Sequence, residues 1–362
     1  MNASTDTPAD AFTGTREVSE AHRFDEARLA DWMTAHVDGF VGPIRVSQFK
    51  GGQSNPTYRI DAASGAYVLR RKPPGKLLKS AHAVDREFRV LAALHPLGFP
   101  VARPYGLCED EGVIGTAFYV MACVDGRIFW DQTLPDLSPP ERHAIFTAQC
   151  DTIAALHTLD WRAAGLEGYG REGEYMARQI HRWSEQYRQS ETNPIPAMNA
   201  LMDWLPAHIP AGETTTLVHG DFRLDNMIIH ASASQVVAVL DWELSTLGDP
   251  LADFTYHLMN WVLPATHAAN GLRDIADLEA HGIPTLEQYV AMYCARTGRA
   301  GLPELDYYFA YNGFRLAAIL QGIAGRVRDG TASSQRALTM AARVEPLAMF
   351  ALGYARRAGM SA

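Results

Sequence analysis

The chain has 362 residues, of which 47% are apolar and 20% charged, and it carries a formal net charge of −9 at pH 7. At about 100 to 200 residues per domain this length supplies two packed units, and the composition excludes disorder throughout. The acidic balance excludes broad attraction to nucleic acid or anionic membrane, which relies on an excess of Lys and Arg.

The first 25 residues, rich in Ala, Thr, Ser, Asp and Glu, read as a flexible tail without the basic start or apolar run of a signal peptide. From Arg45 to Arg70, short alternating apolar runs are separated by Gly51-Gly52 and by Asp61 to Gly65, the pattern of consecutive antiparallel strands. Ala81 to Leu94 then carries Val84, Phe88, Leu91 and Leu94 at helical spacing. Two more strands are expected over Ala102 to Leu107 and Phe118 to Val124, separated by an acidic turn at Glu109 to Gly112. Beyond Val124 helical patterns dominate: Ser138 to Thr158, Glu174 to Gln189, Leu286 to Thr297, Tyr307 to Arg328 and Ser334 to Arg357.

One β-like island at 216–242 interrupts them. The expected fold class is therefore α+β, with a β-rich N-terminal lobe holding one helix at 26–123 and a mainly helical C-terminal lobe at 124–362. No run of about 18 apolar residues occurs; the best candidate, around Trp261 and Val262, is cut by Pro264, so no membrane span is expected. Cys108, Cys123, Cys150 and Cys294 are widely spaced with no CxxC pair, which fits a reduced cytoplasmic protein.

The island reads His219-Gly220-Asp221-Phe222-Arg223-Leu224-Asp225-Asn226, then Met227 to Ile229, a polar turn, Val236 to Leu240, and Asp241. If the two apolar runs pair as a hairpin about a turn between Ala233 and Ser234, residue 226 lies opposite residue 241. An amide oxygen beside a carboxylate is a pair of hard oxygen ligands suited to Mg²⁺, which takes its remaining ligands from water and phosphates. A nucleotide site follows, and Asp221, five residues before Asn226, is placed to orient a hydroxyl and accept its proton.

His-Gly-Asp-x-x-x-x-Asn, followed after a hairpin by Asp-Trp-Glu and Gly-Asp-Pro, resembles the aminoglycoside phosphotransferase and choline kinase group, and more distantly the protein kinases. The resemblance runs from about residue 40 to the last helix, with the same order of elements. It implies a two-lobe protein-kinase-like fold, an ATP- and Mg²⁺-dependent transfer to a small-molecule hydroxyl, Asp221 as base, and Asn226 and Asp241 as metal ligands.

The upstream residues extend this reading. Phe49-Lys50-Gly51-Gly52-Gln53-Ser54-Asn55 looks like a phosphate-covering hairpin, in which glycines permit close backbone approach and Ser54 and Asn55 sit near the phosphates. Tyr67-Val68-Leu69-Arg70 occupies the place where a kinase third strand carries its phosphate-binding lysine; strand alternation puts Arg70 and Lys72 on one face and Arg71 on the other, so either of the first two can serve. Glu87 on the following helix is the natural ion-pair partner. Met121 to Val124 is expected as the hinge, with Met121 and Cys123 at the adenine, and Arg223 is assigned to charge on the transferred phosphoryl group. His219 is read as orienting the loop through hydrogen bonds, and Asp249-Pro250 as a helix N-cap followed by a first-turn proline.

For the acceptor, Arg70, Arg71, Lys72, Lys76 and Lys79, with Arg315 and Arg326 on a late helix, favour an anionic partner. Gln53 to Tyr58 and Arg70 to Leu78 also look like the kinase-like domain joined to some acyl-CoA dehydrogenases, which implies a hydroxyacyl-CoA or hydroxy-acid acceptor. The competing readings are an aminoglycoside kinase proper, and a kinase-fold protein that binds a nucleotide for regulation or transfers the nucleotide itself.

Overall fold

In a computed structural model, which describes residues 13–50, 55–73, 83–264, 271–330 and 335–361, six strands make one antiparallel sheet. They are β1 (Thr15–Arg16), β2 (Arg45–Phe49), β3 (Thr57–Ala62), β4 (Gly65–Arg71), β5 (Pro104–Cys108) and β6 (Phe118–Ala122), in the order β1-β2-β3-β4-β6-β5. Within the stretch expected to be a tail, Thr15 and Arg16 pair with Phe49 and Gln48.

Strand alternation sorts the sheet into two faces. Tyr58, Ile60, Tyr67, Leu69, Phe118 and Val120 are all buried, and against them packs α1 (Glu26–His36) through Leu29, Trp32 and Met33. Trp32 meets Phe118 edge-on at 4.8 Å. The helix starts where Asp25 accepts hydrogen bonds from the Ala27 and Arg28 N–H groups, both at 3.0 Å. Its apolar residues stand at i, i+3 and i+4, a signal present in the sequence although the helix was not among those expected there.

The remaining helix of this unit that matters for function is α2 (Val84–Leu94), which buries Glu87 among Val84, Val90, Leu91 and Leu94. The expected acidic turn at 109–112 is instead a short helix, α3 (Glu111–Ile114), because the Asp110 carboxylate caps it by accepting from the Gly112 N–H at 2.8 Å. The strands Met227–Ile229 and Val236–Val239 form the expected hairpin with a different register: Met227 faces Val239, Ile228 faces Ala238, and a bulge brings Ile229 to Val236. Asn226 therefore lies opposite Leu240, whose N–H donates to the Asn226 carbonyl at 2.8 Å, rather than opposite Asp241.

By contacts the chain divides into two units: the residues up to Trp130 with Arg162–Leu166 and Asp225–Leu244, and a second made of Asp131–Trp161, Glu167–Leu224 and Ser245–Ala362. The hairpin belongs with the sheet, where the Val239 N–H donates to the Pro100 carbonyl at 2.8 Å. The second unit is built from the helices Pro139–Thr158, Tyr175–Ser190, Pro196–Ala207, Pro250–Val262, Leu286–Thr297, Leu305–Arg328, Gln335–Ala341 and Val344–Arg357, with a strand pair Thr216–Val218 and Thr246–Gly248. This is the expected α+β class. The long final helix expected over 334–357 is broken near Ala342: Pro346 has no N–H to donate to that carbonyl, and its ring crowds the preceding turn. No helix among the described residues is long and apolar enough to cross a membrane.

The strap after β6 is locked to the hairpin by a pair of bonds, Arg127 N–H to Ile229 O at 2.7 Å and Ile229 N–H to Arg127 O at 2.8 Å. Gly126 makes this approach possible, since a Cβ there would stand 2.4 Å from the Ile229 carbonyl oxygen and 2.5 Å from Ile228 Cγ2. Gly126→Ala is expected to lower the unfolding free energy by about 1–3 kcal/mol through overpacking, read from the midpoint of a urea or guanidinium transition.

Candidate active site

The face of the sheet opposite α1 walls a cavity of about 350 Å³. Thr57 and Arg59 of β3, Val68 and Arg70 of β4, and Tyr119 and Met121 of β6 contribute alternate side chains to it, and the hairpin adds Asn226, Ile228, Val239 and Asp241. Cavities of this size, apolar with a few converging polar groups, are the usual form of small-molecule sites.

Arg70 is the polar centre of the cavity. Its Nε stands 2.8 Å from Glu87 Oε2, its Nη2 lies 2.7 Å from Asp241 Oδ1, and Glu243 Oε2 is 3.7 Å away. The expected partnership with Glu87 is present. Glu87 is itself held by the Asn55 amide, which donates to Oε1 at 2.8 Å, and by the Tyr119 hydroxyl, which donates to Oε2 at 3.1 Å. Burial pushes the Glu87 carboxyl above its ordinary range and Arg70 pulls it back, while the surrounding carboxylates keep Arg70 charged.

Of the two cations left open by the sequence, Arg70 lines the cavity, whereas Lys72 turns toward Asp85 at 4.0 Å. Arg71 takes the other face as expected, buried with its Nε donating to Thr116 Oγ1 at 2.9 Å and its guanidinium 5.4 Å from the Phe24 ring. Asn55 is fully buried on Glu87 instead of facing the cavity, because the carboxylate in the core needs a donor. Gly51, Gly52 and Ser54 lie outside the described residues, as do Lys76 and Lys79.

Met121 and Cys123 both line the cavity at the end of β6. The N–H groups of Ala122 and Cys123 donate within the sheet, to Arg103 O at 2.8 Å and Ala66 O at 3.4 Å. Burial raises the Cys123 thiol, so it stays protonated and acts as a small apolar wall.

The oxygen donors of Asn226, Asp241 and Glu243 are hard ligands of one chemical kind, and Asp241 already accepts a cation, the Arg70 guanidinium, at 2.7 Å. Asp241 has a left-handed backbone, φ 63°, at the turn out of the hairpin. Hard oxygen donors of this kind are chemically suited to a magnesium ion, which Asn226 and Asp241 would hold.

Asp221 lies in the second unit. Its Oδ1 accepts from the Tyr256 hydroxyl at 2.8 Å and pairs with Arg223 Nε at 3.1 Å. The loop carrying it is clamped by Asp253, whose Oδ2 and Oδ1 accept from the N–H groups of His219 and Gly220, each at 2.8 Å. Gly220 has φ 84°, a conformation glycine adopts without strain. Burial alone would raise the Asp253 carboxyl, and His157, 3.2 Å away through Nε2, together with His219 outweighs it, so Asp253 stays ionised. The Asp221 N–H donates to His219 Nδ1 at 3.2 Å, the orienting role expected of that histidine. Asp249 caps its helix, accepting from the Leu251 N–H at 2.7 Å and the Tyr308 hydroxyl at 2.8 Å.

Sequence reasoning missed Asp253, Tyr256 and Tyr119. The first two lie on successive turns of the helix that Asp249-Pro250 opens, so their spacing after the Gly-Asp-Pro segment was an available signal. Tyr119 looked like one of many strand aromatics.

Arg70→Met leaves Glu87 buried without its cation and is expected to destabilise the protein by about 3–5 kcal/mol, with Glu87→Gln added on top restoring part of the loss; denaturant titrations of the single and double variants measure both. His257 is fully buried, its Nε2 at 2.9 Å from the Tyr289 hydroxyl and its Nδ1 at 3.2 Å from the Phe222 carbonyl, and burial lowers its pKa to about 4. Because the folded value lies below the unfolded 6.5, this contribution is complete above pH 6.5 and is lost as the pH falls toward 4, by about 3 kcal/mol at most. Unfolding free energies measured across that window should fall more steeply in the wild type than in His257→Gln.

The Phosphotransferase enzyme family model matches residues 45–308. Mouse acyl-CoA dehydrogenase family member 10 is 47% identical over 320 residues, 88% of this chain and 30% of the relative, so the chain spans about a third of that protein. A Ralstonia eutropha crystal structure assigned to the aminoglycoside phosphotransferases is 49% identical, covers 93% of this chain and all of the other, and superposes with a TM-score of 0.87. Aminoglycoside phosphotransferase APH(4)-Ia, in ternary complex with ADP and hygromycin B, is 16% identical with a TM-score of 0.57 over 93% of this chain and 99% of the other, a likeness of fold. With its match over the sheet, the hairpin and the Asp221 loop, the chain belongs to the Phosphotransferase enzyme family and has its two-lobe, protein-kinase-like fold.

Proposed function

We propose that this protein transfers the γ-phosphoryl group of ATP, with Mg²⁺, to a hydroxyl of a small molecule, and that the acceptor is a hydroxyacyl-CoA or a hydroxy acid. The observation that carries the reading is the convergence of Arg70, Glu87, Asn226 and Asp241 around one cavity in a chain of this family. In this reading a planar base lies against Met121 and the apolar wall of β6, and Arg70 neutralises phosphate charge while Glu87 holds it extended. Asn226 and Asp241 hold the metal, which supplies charge neutralisation on the phosphate oxygens when bound. Asp221 orients the acceptor hydroxyl and takes its proton, and Arg223 stabilises charge on the transferred group.

An anionic acceptor draws its support from the relative's name more than from the basic run at 70–79. Arg71 and Arg315 are buried, and Arg70 lines the cavity assigned here to the nucleotide, so those cations do not form a solvent-facing anion patch for the acceptor. Arginine in place of the third-strand lysine keeps a permanent charge and adds planar, two-pronged donation to phosphate.

The test is ADP release from ATP across hydroxyacyl-CoA thioesters, hydroxy acids, aminoglycosides, choline and sugars. The expected result is acceptor-dependent ADP with the hydroxyacyl-CoA or hydroxy-acid class, lost about 10²–10⁴-fold in Asp221→Asn and abolished by EDTA. Asp241→Asn should raise the Mg²⁺ concentration needed for half-maximal rate. Turnover with aminoglycosides alone would overturn the acceptor assignment, and ATP binding without ADP formation would favour the regulatory reading.

A further inference from the structure

Behind Asp221 in the second unit lies a set of side chains that neither the motif nor the family match assigns. Tyr256, on the helix Pro250–Val262, donates its hydroxyl to Asp221 Oδ1 at 2.8 Å, the same oxygen that Arg223 Nε approaches at 3.1 Å. Over the Tyr256 ring, 4.8 Å from its centroid, stands the guanidinium of Arg315, which also lies 5.8 Å from the Trp183 ring. Arg315 is 7% exposed, and its Nη2 donates to the Gly220 carbonyl at 2.8 Å.

A buried cation normally finds a carboxylate. Arg315 is placed instead on two aromatic faces and on the carbonyl of the residue before Asp221. It thus braces the loop at Gly220 and the phenol that holds Asp221, through one side chain. Burial, with the negative charge of Asp221, pushes the Tyr256 phenol far above its ordinary range, which keeps it a donor throughout the working pH range.

We propose that Tyr256, braced by Arg315, is a positioning residue of phosphoryl transfer that sets the rotation of the Asp221 carboxylate toward the acceptor hydroxyl. This rests on the reading of Asp221 as the base. In the step concerned, the acceptor oxygen forms a bond to the γ-phosphorus, the bond from the γ-phosphorus to the β–γ bridging oxygen breaks, ADP leaves, and the hydroxyl proton passes to Asp221. A carboxylate held by one fewer donor spends less time aligned for that proton, so losing the Tyr256 hydroxyl lowers turnover while leaving nucleotide affinity alone.

The test is a double-mutant cycle of wild type, Tyr256→Phe, Asp221→Asn and the double variant, reading ADP formed from Mg-ATP with water as the acceptor. Phenylalanine keeps the ring under Arg315 and removes only the donor. The expected result is a loss of about ten- to a hundred-fold in kcat for Tyr256→Phe, with KM for ATP and the melting temperature within error of wild type, and no further loss when it is added to Asp221→Asn. Full activity in Tyr256→Phe, equal losses in both backgrounds, or a variant that melts early or no longer binds ADP would each overturn the proposal, the last by assigning Tyr256 to packing. A wild-type rate in Asp221→Asn would instead overturn the assignment of the base itself, so the two failures are told apart.

Discussion

The guanidinium of Arg70 is a permanent charge enclosed in protein, and the sheet unit is arranged around what that charge requires. A cation removed from water needs opposite charge at short range with good geometry, or its desolvation cost exceeds several kcal/mol, of order what a whole domain has in reserve. Two segments far apart in sequence meet that requirement: α2 supplies Glu87, and the turn out of the hairpin supplies Asp241 and Glu243. Glu87 in turn is satisfied by Asn55 and Tyr119. Strand, helix and hairpin are thereby registered to one another, and the registration defines the cavity wall.

The second unit solves a different problem, how to hold a loop without regular backbone pairing still. Asp253 does it with one carboxylate that accepts two successive backbone N–H groups and a histidine, and Arg315 adds a bond to the carbonyl of the same loop. Each of these partners comes from a helix, whose own position is fixed by packing, so the loop inherits the rigidity of the helical core. The unit boundary falls inside the motif, between Leu224 and Asp225. The proposed proton acceptor and the proposed metal ligands are thus borne by different supports joined by a few residues of continuous chain.

Much of this was legible in the residues because it is governed locally. The pleat of β4 has period two, so Arg70 and Arg71 had to face opposite ways, and Asp249-Pro250 had to open a helix. Where two local rules competed the reading slipped. The hairpin was centred by the symmetry of its polar turn, whereas Ile229 pairs with Val236 and so places the turn one residue earlier, which displaces the partner by two positions; the bulge beyond that pair recovers one of them. The last helix followed its apolar spacing across Pro346, although the missing N–H was visible in the sequence.

The sequence by itself determined the α+β class, five of the sheet strands, the hairpin and most of the long helices, and it singled out the proposed set Asp221, Asn226 and Asp241, since these follow from short-range periodicity and from a motif of fixed spacing. Only the tertiary structure decided that Arg70 and not Lys72 enters the cavity, that Asn55 serves Glu87, and that Tyr256, Asp253 and Arg315 hold the Asp221 loop. Those choices depend on which charges are buried together, and burial is set by segments tens to more than a hundred residues away in the chain, a distance over which local pattern carries no information.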